Sequence, residues 1–558
     1  MKQPFFLCLA LLGSAALLAP AAKAQPKSGG FSWANLPTAQ LPTFKPDTFN
    51  ITTYGARPDG RTLNTQSINA AIADCSRKGG GVVLVPGGLW LTGPVELKSN
   101  VNLHLRRAAV LQFSADFDQY PLVLGSFEGI PSYRNQSPLS GTGLENVAIT
   151  GSGIVDGNGD AWRAVGRDRL TESEWKKKVA SGGLLSEDGK TWHPSAKALR
   201  GAQVPNPGGV VAGKTAPDYN DVKDFLRPNL LVLTNCKKVL LDGVTFQNSP
   251  AWCLHPLLCQ ELTVRNLLVR NPDYARNGDG LDIESCRNVL VEGCTFDVGD
   301  DGICIKSGKD AEGRKRGVPT ENALIRRNVV YHAHGGFVIG SEMSGGARNL
   351  FVEDCTFMGT DIGLRFKTAR GRGGIVEDIY VRNIAMKDIV HDAILFDMYY
   401  FMKAPPKLAD GTAAPAEVPA VTEATPQFRR FFISNIVCDG AERAIFLRGL
   451  PEMSIQQITL DNLVLRANKG VELIEAQNII ISNLRLETLS AASPVYVENS
   501  RSISFDGLTV TAPGNQPLFG LSGARSEKIT ATRIEAGKNR PPVEAKAGAS
   551  AKALKVKG

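Results

Sequence analysis

Cysteine, histidine and long apolar runs are all in short supply here, and each shortage removes a class of protein. The 558 residues hold ten cysteines and six histidines. No CxxC pair and no His/Cys group has zinc spacing, so finger and ribbon domains are set aside. Cys8 lies in the N-terminal apolar run. The nine cysteines left are odd in number and thinly spread, so at least one is free and no disulfide framework is implied. Most of them, Cys236, Cys286, Cys294, Cys304 and Cys355 included, stand in or beside strand-like runs, where a small buried hydrophobe is expected. The long apolar run from Phe5 to Leu18 follows Lys2 and precedes Ala22-Lys23-Ala24. That is the pattern of a secretory signal peptide over residues 1–24, and it predicts export, to the periplasm or beyond. No other stretch is long and apolar enough to enter a membrane. Blocks of like charge are missing too. The net charge of +8 falls to +6 once Lys2 and Lys23 go, a mild excess that suits an anionic partner. Basic clusters are as short as Lys176–Lys178 and Arg314–Arg316, so nucleic acid is not an expected partner.

What the chain does have is a repeat. After a leader at 25–47, residues 64–79 read as one amphipathic helix, capped by Asn64 or Thr65, with Ile68, Ala71, Ile72 and Cys75 on one face. It is expected to cap the open end of a stack. From residue 144 onward a polar turn, an alternating strand, a small polar turn and a second strand recur, as in N-C-K-K-V-L-L-D-G-V-T-F from Asn235 and S-C-R-N-V-L-V-E-G-C-T-F from Ser285. The anchors Val239, Leu262, Val289, Leu324, Leu350 and Ile379 are spaced by 23, 27, 35, 26 and 29 residues, and Ile458, Ile479 and Ile503 continue the series. A period in the twenties built from short strands predicts an all-β, right-handed parallel β-helix, one domain over 48–536. Long loops are expected at 158–228 and 403–427, and a Lys/Ala-rich mobile tail at 537–558.

The stretch from Asn277 to Gly308 holds Asp279, Asp300 and Asp301 in two turns, each running into a strand. Glycines 278, 280, 299 and 302 are expected to permit sharp turns and leave the carboxyls uncovered. Equivalent points of successive coils lie about 4.8 Å apart, so three carboxyls would share one small volume. They cannot all ionise cheaply, and one is expected to stay protonated. That division suits glycosidic bond hydrolysis, in which an acid protonates the leaving oxygen and a carboxylate activates water. The next coil brings His332 and His334. The one after brings Arg365 and Lys367, two apart and so on one side of a strand, cations fitted to a substrate that carries carboxylates.

Asn277-Gly278-Asp279, Asp300-Asp301, Ala333-His334-Gly335 and Arg365-Phe366-Lys367 stand in the order of the N-x-D, D-D, G-H-G and R-I-K blocks of the polygalacturonases, glycoside hydrolase family 28, which the chain resembles over roughly 48–510. The resemblance implies that Asp300 is the general acid, that Asp279 and Asp301 hold the attacking water, and that His334 tunes the acid. It also implies that Asn277, Arg365, Lys367 and Tyr399 contact substrate, that no metal or other cofactor is needed, and that the partner is an anionic pectic polysaccharide. Ala333 replaces the first glycine of G-H-G, and His334 lies six residues before Gly340, against five in the fungal endo-enzymes. The G-G-F-V-I-G-S-E wording is closer to the bacterial branch with exo-acting members. Inversion at the anomeric carbon, and attack from chain ends behind the two long loops, are the further expectations. A Ca²⁺-dependent pectate lyase, a rhamnogalacturonan hydrolase and a non-catalytic glycan-binding β-helix are the alternatives.

Overall fold

The computed structural model describes residues 30–403, 418–537 and 542–557. The signal-peptide stretch 1–24 lies outside these, as does 404–417 of the second predicted loop. The chain is a right-handed parallel β-helix. Among the described residues its strands form one sheet of 23 and one of 14, with small antiparallel sheets only in excursions from the coil. Alternation drives the architecture. In strands such as Lys237–Asp242 and Arg287–Glu292 every second side chain points inward and stacks on its equivalent one coil away. A continuous apolar core therefore runs from Ile51 to Leu554. All nine described cysteines are free and buried, and all but Cys304 lie within it.

The inward row runs Val239, Leu262, Val289, Ala323, Leu350, Ile379, Phe431, Ile458, Ile479, Ile503. It corrects the expected series at one anchor: Ala323, not Leu324, pairs with Val289 and Leu350. Leu324 faces outward and is buried all the same, because Phe31, Trp33 and Leu36 of the leader cover it together with Phe351 and Tyr380. The leader is thus an external strap. Trp33 meets Phe351 edge-on at 5.2 Å with the Arg382 guanidinium 3.8 Å from its ring centre. Further along, the Gln40 amide donates to Glu261 (2.7 Å), and Lys45 reaches the carbonyl of Lys78 (3.2 Å).

Corners of the coils, between strands or within the long ones, fall on left-handed residues, among them Asn266, Asp354, Asn383, Asn435, Asn462 and Asn483. Asn and Asp tolerate this conformation better than other side chains. The asparagine amides also bond along the stack, from Asn383 to Asp354 (2.9 Å), Asn435 to Asn383 (2.9 Å) and Asn462 to Asn435 (2.8 Å). Helix α1 (Thr65–Arg77) buries the expected residues Ile68, Ala71, Ile72 and Cys75 against the first coils. Its N-cap Asn64 makes no side-chain cap; it holds the preceding loop through Arg57 and Thr62 instead.

Two excursions matter for function. A hairpin, Leu122–Phe127 and Ile130–Asn135, turns at Glu128-Gly129, both with positive φ, as a two-residue hairpin turn requires. The insertion at 158–228 is ordered: helices α2 (Glu172–Ala180) and α3 (Ala196–Gln203), a small antiparallel sheet and a long 3-10 segment, Ala216–Phe225. The hairpin packs on it, with Tyr133 stacked on Tyr219 at 4.7 Å and Asn135 donating to the Lys223 carbonyl (2.7 Å). Helix α4 (Asp310–Arg316) follows the central strand.

The expected mobile tail is corrected as well. Val543–Lys546 and Leu554–Lys557 pair in parallel with the strands one coil before them. V-E-A-K and L-K-V-K alternate as earlier coils do, and Leu554 is buried, so composition hid a last coil.

Candidate active site

Strands Leu254–Leu257, Leu281–Glu284, Asp301–Lys306, Gly335–Ile339 and Leu364–Lys367 are successive neighbours in the 14-stranded sheet. Backbone bonds tie the turns that enter them: Cys253 N–H to the Asp279 carbonyl (2.8 Å), Gly280 N–H to that of Asp301 (2.9 Å) and His334 N–H to that of Asp300 (2.9 Å). The nearest carboxyl oxygens of Asp279, Asp300 and Asp301 then lie within 4.8 Å of one another. The glycines work differently from expectation. None of 278, 280, 299 and 302 has a left-handed φ. A Cβ at Gly280 would stand 2.6 Å from the Gly302 carbonyl, and one at Gly302 would stand 2.5 Å from Val330, so these residues permit close stacking of coils.

The three carboxyls have three environments. Asp301, 1% exposed, accepts from Lys367 Nζ (2.7 Å) and Arg365 Nη1 (3.1 Å). Burial alone would raise its pKa, but those two cations more than reverse this and hold it well below the ordinary range, so it is a carboxylate. Asp279, 3% exposed, has an Oδ1 with no hydrogen-bond partner. Burial, and after it the charge of Asp300, push its pKa well up, which favours its protonated form. Asp300 is the most open, with 21% of its side chain exposed. Its Oδ1 accepts from the Asp301 amide (3.0 Å) and faces His334 Nδ1 (3.1 Å), and its Oδ2 accepts from the Asn277 amide (3.2 Å). The bond to Asp300 raises the pKa of His334 against burial. Asp361 lies 3.8 Å from the other ring nitrogen.

Seven of the eight candidate residues are thus brought together. Tyr399 is not: it is buried beneath Arg370 and Arg448, 5.6 and 5.1 Å from its ring centre. Its amide donates to Asp397, and that turn presents Tyr400 instead, with Lys367 4.9 Å and Arg365 5.6 Å from the ring centre. Sequence reasoning also missed Arg227, at the exit of the insertion. Its guanidinium donates to Asn277 Oδ1 (3.0 Å) and to the carbonyls of Pro250 (2.8 Å) and Arg276 (3.0 Å). It missed Asp282 and Lys306, 3.5 Å apart, and Glu342, 3.1 Å from Lys306. Burial and the neighbouring acids Asp301 and Asp300 leave Asp282 with a raised pKa despite Lys306. Burial opposes the Lys306 charge, but the surrounding acids, Glu342 and Asp282 among them, hold its pKa well up. The signal was present: Asp282, Glu284 and Lys306 stand at alternate positions of strands already identified, on the side opposite Ile283 and Ile305. Three clustered carboxyls also make a conceivable cation site, but both oxygens of Asp301 are already engaged by Arg365 and Lys367, so the donor set fits a metal poorly.

One side of the cluster is roofed. The hairpin tip meets the loop after Lys306, where Glu128 pairs with Lys309 (3.1 Å) and a Cβ at Gly129 would stand 2.8 Å from Gly308. Phe127 stacks on Trp252 at 6.1 Å. Beneath the roof His255, Asp282, Glu284 and Lys306 are no more than 3% exposed. On the other side, toward the C terminus, Asp397, Arg448 and Glu472 are part-exposed.

A proton-bearing carboxyl, an ionised one and an open one in a sheet of a parallel β-helix are the equipment of a glycosidase. The model of glycosyl hydrolases family 28 matches residues 208–416, and that of rhamnogalacturonase A/epimerase, pectate lyase-like, matches 48–162. The exo-poly-alpha-D-galacturonosidase of Dickeya chrysanthemi is 30% identical over 488 residues, 84% of this chain and 76% of its own. A probable polygalacturonase of Vitis vinifera is 31% identical over 352 residues, 61% of this chain and 60% of its own. The crystal structure of a hyperthermoactive exopolygalacturonase from Thermotoga maritima is similar with a TM-score of 0.64 at 32% identity, covering 80% of this chain and 94% of that one. The chain belongs to glycosyl hydrolases family 28 and is a glycosidase. Among the described residues no helix is long and apolar enough to cross a membrane.

Proposed function

We propose that the protein hydrolyses the α-1,4-galacturonosidic bonds of polygalacturonate or its oligomers from chain ends, after export. The observation that carries this reading is the acid cluster of Asp279, Asp300 and Asp301 at the edge of a roofed cleft. A polymer lying along the sheet has room toward the C-terminal coils and meets the hairpin and the 158–228 insertion on the other side. The names of the Dickeya and Thermotoga relatives are those of exo-acting enzymes. Asp300, open to solvent and bonded to His334, delivers the proton to the leaving oxygen. Asp279, lying within reach, supplies a proton to the cluster. Asp301, fixed as a carboxylate, orients the water and takes up the proton that the water loses as its oxygen attacks the anomeric carbon, so one proton enters the cluster for each one passed to the leaving oxygen.

The oxygens stand closer than the roughly 6.5–9.5 Å between carboxyls usual for inverting pairs. Inversion is still the outcome proposed, because neither partner of Asp300 is free to act as a nucleophile. Asp301 is locked between two cations, and burial favours the protonated form of Asp279. Arg365 and Lys367 carry one positive charge more than Asp301 cancels, which favours a uronate beside them.

The test is incubation with polygalacturonate, defined oligogalacturonates and rhamnogalacturonan, with products identified by mass and the first-formed anomer by proton NMR. Mono- or digalacturonate of inverted configuration, released with little early fall in viscosity, is expected. Unsaturated products, or rhamnogalacturonan cleavage alone, would overturn the reading.

A further inference from the structure

Two arginines beside the acids stand out because the protein does nothing to balance their charge. Arg134, in the second strand of the hairpin, donates from its guanidinium to the carbonyl of Arg227, which brings the two cations side by side. Arg134 lies over Phe127, 3.9 Å from the ring centre, and Arg227 holds Asn277, the residue whose amide holds Asp300. Among the described residues neither has a carboxylate within ion-pair distance. The acid nearest in charge terms, Glu128, is engaged with Lys309, and the neighbouring Arg163 has its own partner in Asp160 (2.9 Å). Burial lowers both pKa values, joined by the charge of Arg227 for Arg134 and by those of Arg163 and Arg276 for Arg227, to about 9 and about 10, so both stay charged at neutral pH. Each keeps part of its surface open. Removing charges from water without a counter-charge is costly, and an arriving anion would relieve that cost. The planar fork of a guanidinium matches a carboxylate in a way a lysine does not.

We propose that Arg134 and Arg227 form an anion subsite at the roofed end of the cleft, which takes the carboxylate of the terminal uronic acid residue bound next to the acids. This rests on the polygalacturonate reading and adds to it the part that recognises a chain end. The hairpin is then both the wall and the receptor for what meets it.

The test uses the full chain carrying Asp300→Asn, so that ligand persists, titrated by calorimetry with digalacturonate and with the uncharged disaccharide in which both carboxyls are reduced to alcohols. Adding Arg134→Gln is expected to weaken digalacturonate binding at least tenfold and to leave the neutral disaccharide unchanged. Arg134→Lys, which keeps the charge and loses the fork, should recover part of the loss. In the active enzyme Arg134→Gln should raise KM with little change in kcat. Equal weakening for both disaccharides, or no weakening in a variant whose circular dichroism matches the parent, overturns the subsite. If wild type hydrolyses polygalacturonate normally in that event, only the subsite falls. If wild type neither binds nor cleaves it, both readings fall.

Discussion

The same sheet carries charges in two contrasting ways. In the coils that follow, outward carboxylates such as Asp392 and Asp397 meet an arginine one coil on. Asp397 takes two bonds from Arg448 (2.9 and 2.8 Å), and Asp392 takes Arg443 (2.6 Å), which also reaches Glu472 (2.9 Å). In the central coils the ladder positions are equivalent, but charges are buried and crowded. Asp279 Oδ1 and both oxygens of Asp282 lack hydrogen-bond partners. One backbone serves both because the parallel ladder fixes only where side chains stand, not whether they agree. Satisfied pairs hold coils together, and the frustrated cluster stores proton affinity that chemistry can use.

The largest expected effect separates the two regions outright. Asp300→Asn should lower kcat by about 10² to 10⁴ with thermal stability little changed, whereas Asp397→Asn should leave kcat untouched; steady-state kinetics on a trigalacturonate decides. Next is Lys367→Met, which strands the buried Asp301 with one cation and should cost about 3–5 kcal/mol in denaturant unfolding. Arg448→Met, freeing a part-exposed acid, should cost about 1–2 kcal/mol. Because the Asp301 pKa is lowered by folding, the stability it brings is present above the ordinary carboxyl value of about 3.9 and is lost as pH falls below it, so the deficit of Lys367→Met should narrow in acid.

Asp279 has the opposite sign. Its raised pKa makes the unfolded chain release a proton that the folded chain keeps, so wild-type stability declines as pH climbs above about 4. Asp279→Asn should therefore be inactive yet more stable than wild type at pH 7, by about 1 kcal/mol, with the advantage vanishing near pH 3; melting curves at both pH values check this. Smallest is the tyrosine pair. Tyr399→Phe should leave kinetics unchanged, while Tyr400→Ala, which removes a cation–π contact worth about 0.5–2 kcal/mol, should raise KM a few-fold.

Most of the fold was legible because each coil repeats one local instruction, an alternating strand and an Asn or Gly corner. The acid cluster was legible for the same reason: period places residues 21 apart on neighbouring coils. What failed depended on distant chain. Leu324 reads as an inward anchor until the leader, some 290 residues earlier, is seen to cover it. Nothing near Arg227 announces a partner at Asn277, 50 residues away. Tyr399 and Tyr400 differ by one step of backbone, and a hydrogen bond to Asp397 decides between them. The hairpin did leave a trace, Phe-Glu-Gly-Ile between alternating runs, though weaker than the Asn-Gly or Asp-Gly of most two-residue turns.

The strap formed by the leader changes how such a stack comes apart. Coils that touch only their neighbours can fray one at a time from either end. Here Trp33 is laced to Phe351 and Arg382 while Lys45 sits at helix α1, so the coils from the first to the one bearing Arg382 must loosen together or shed the lace first. The coils beyond Phe432 have no such thread among the described residues, and heat or protease should reach them sooner. The acids lie in the laced half, which lets the catalytic coils outlast the loss of their own C-terminal neighbours.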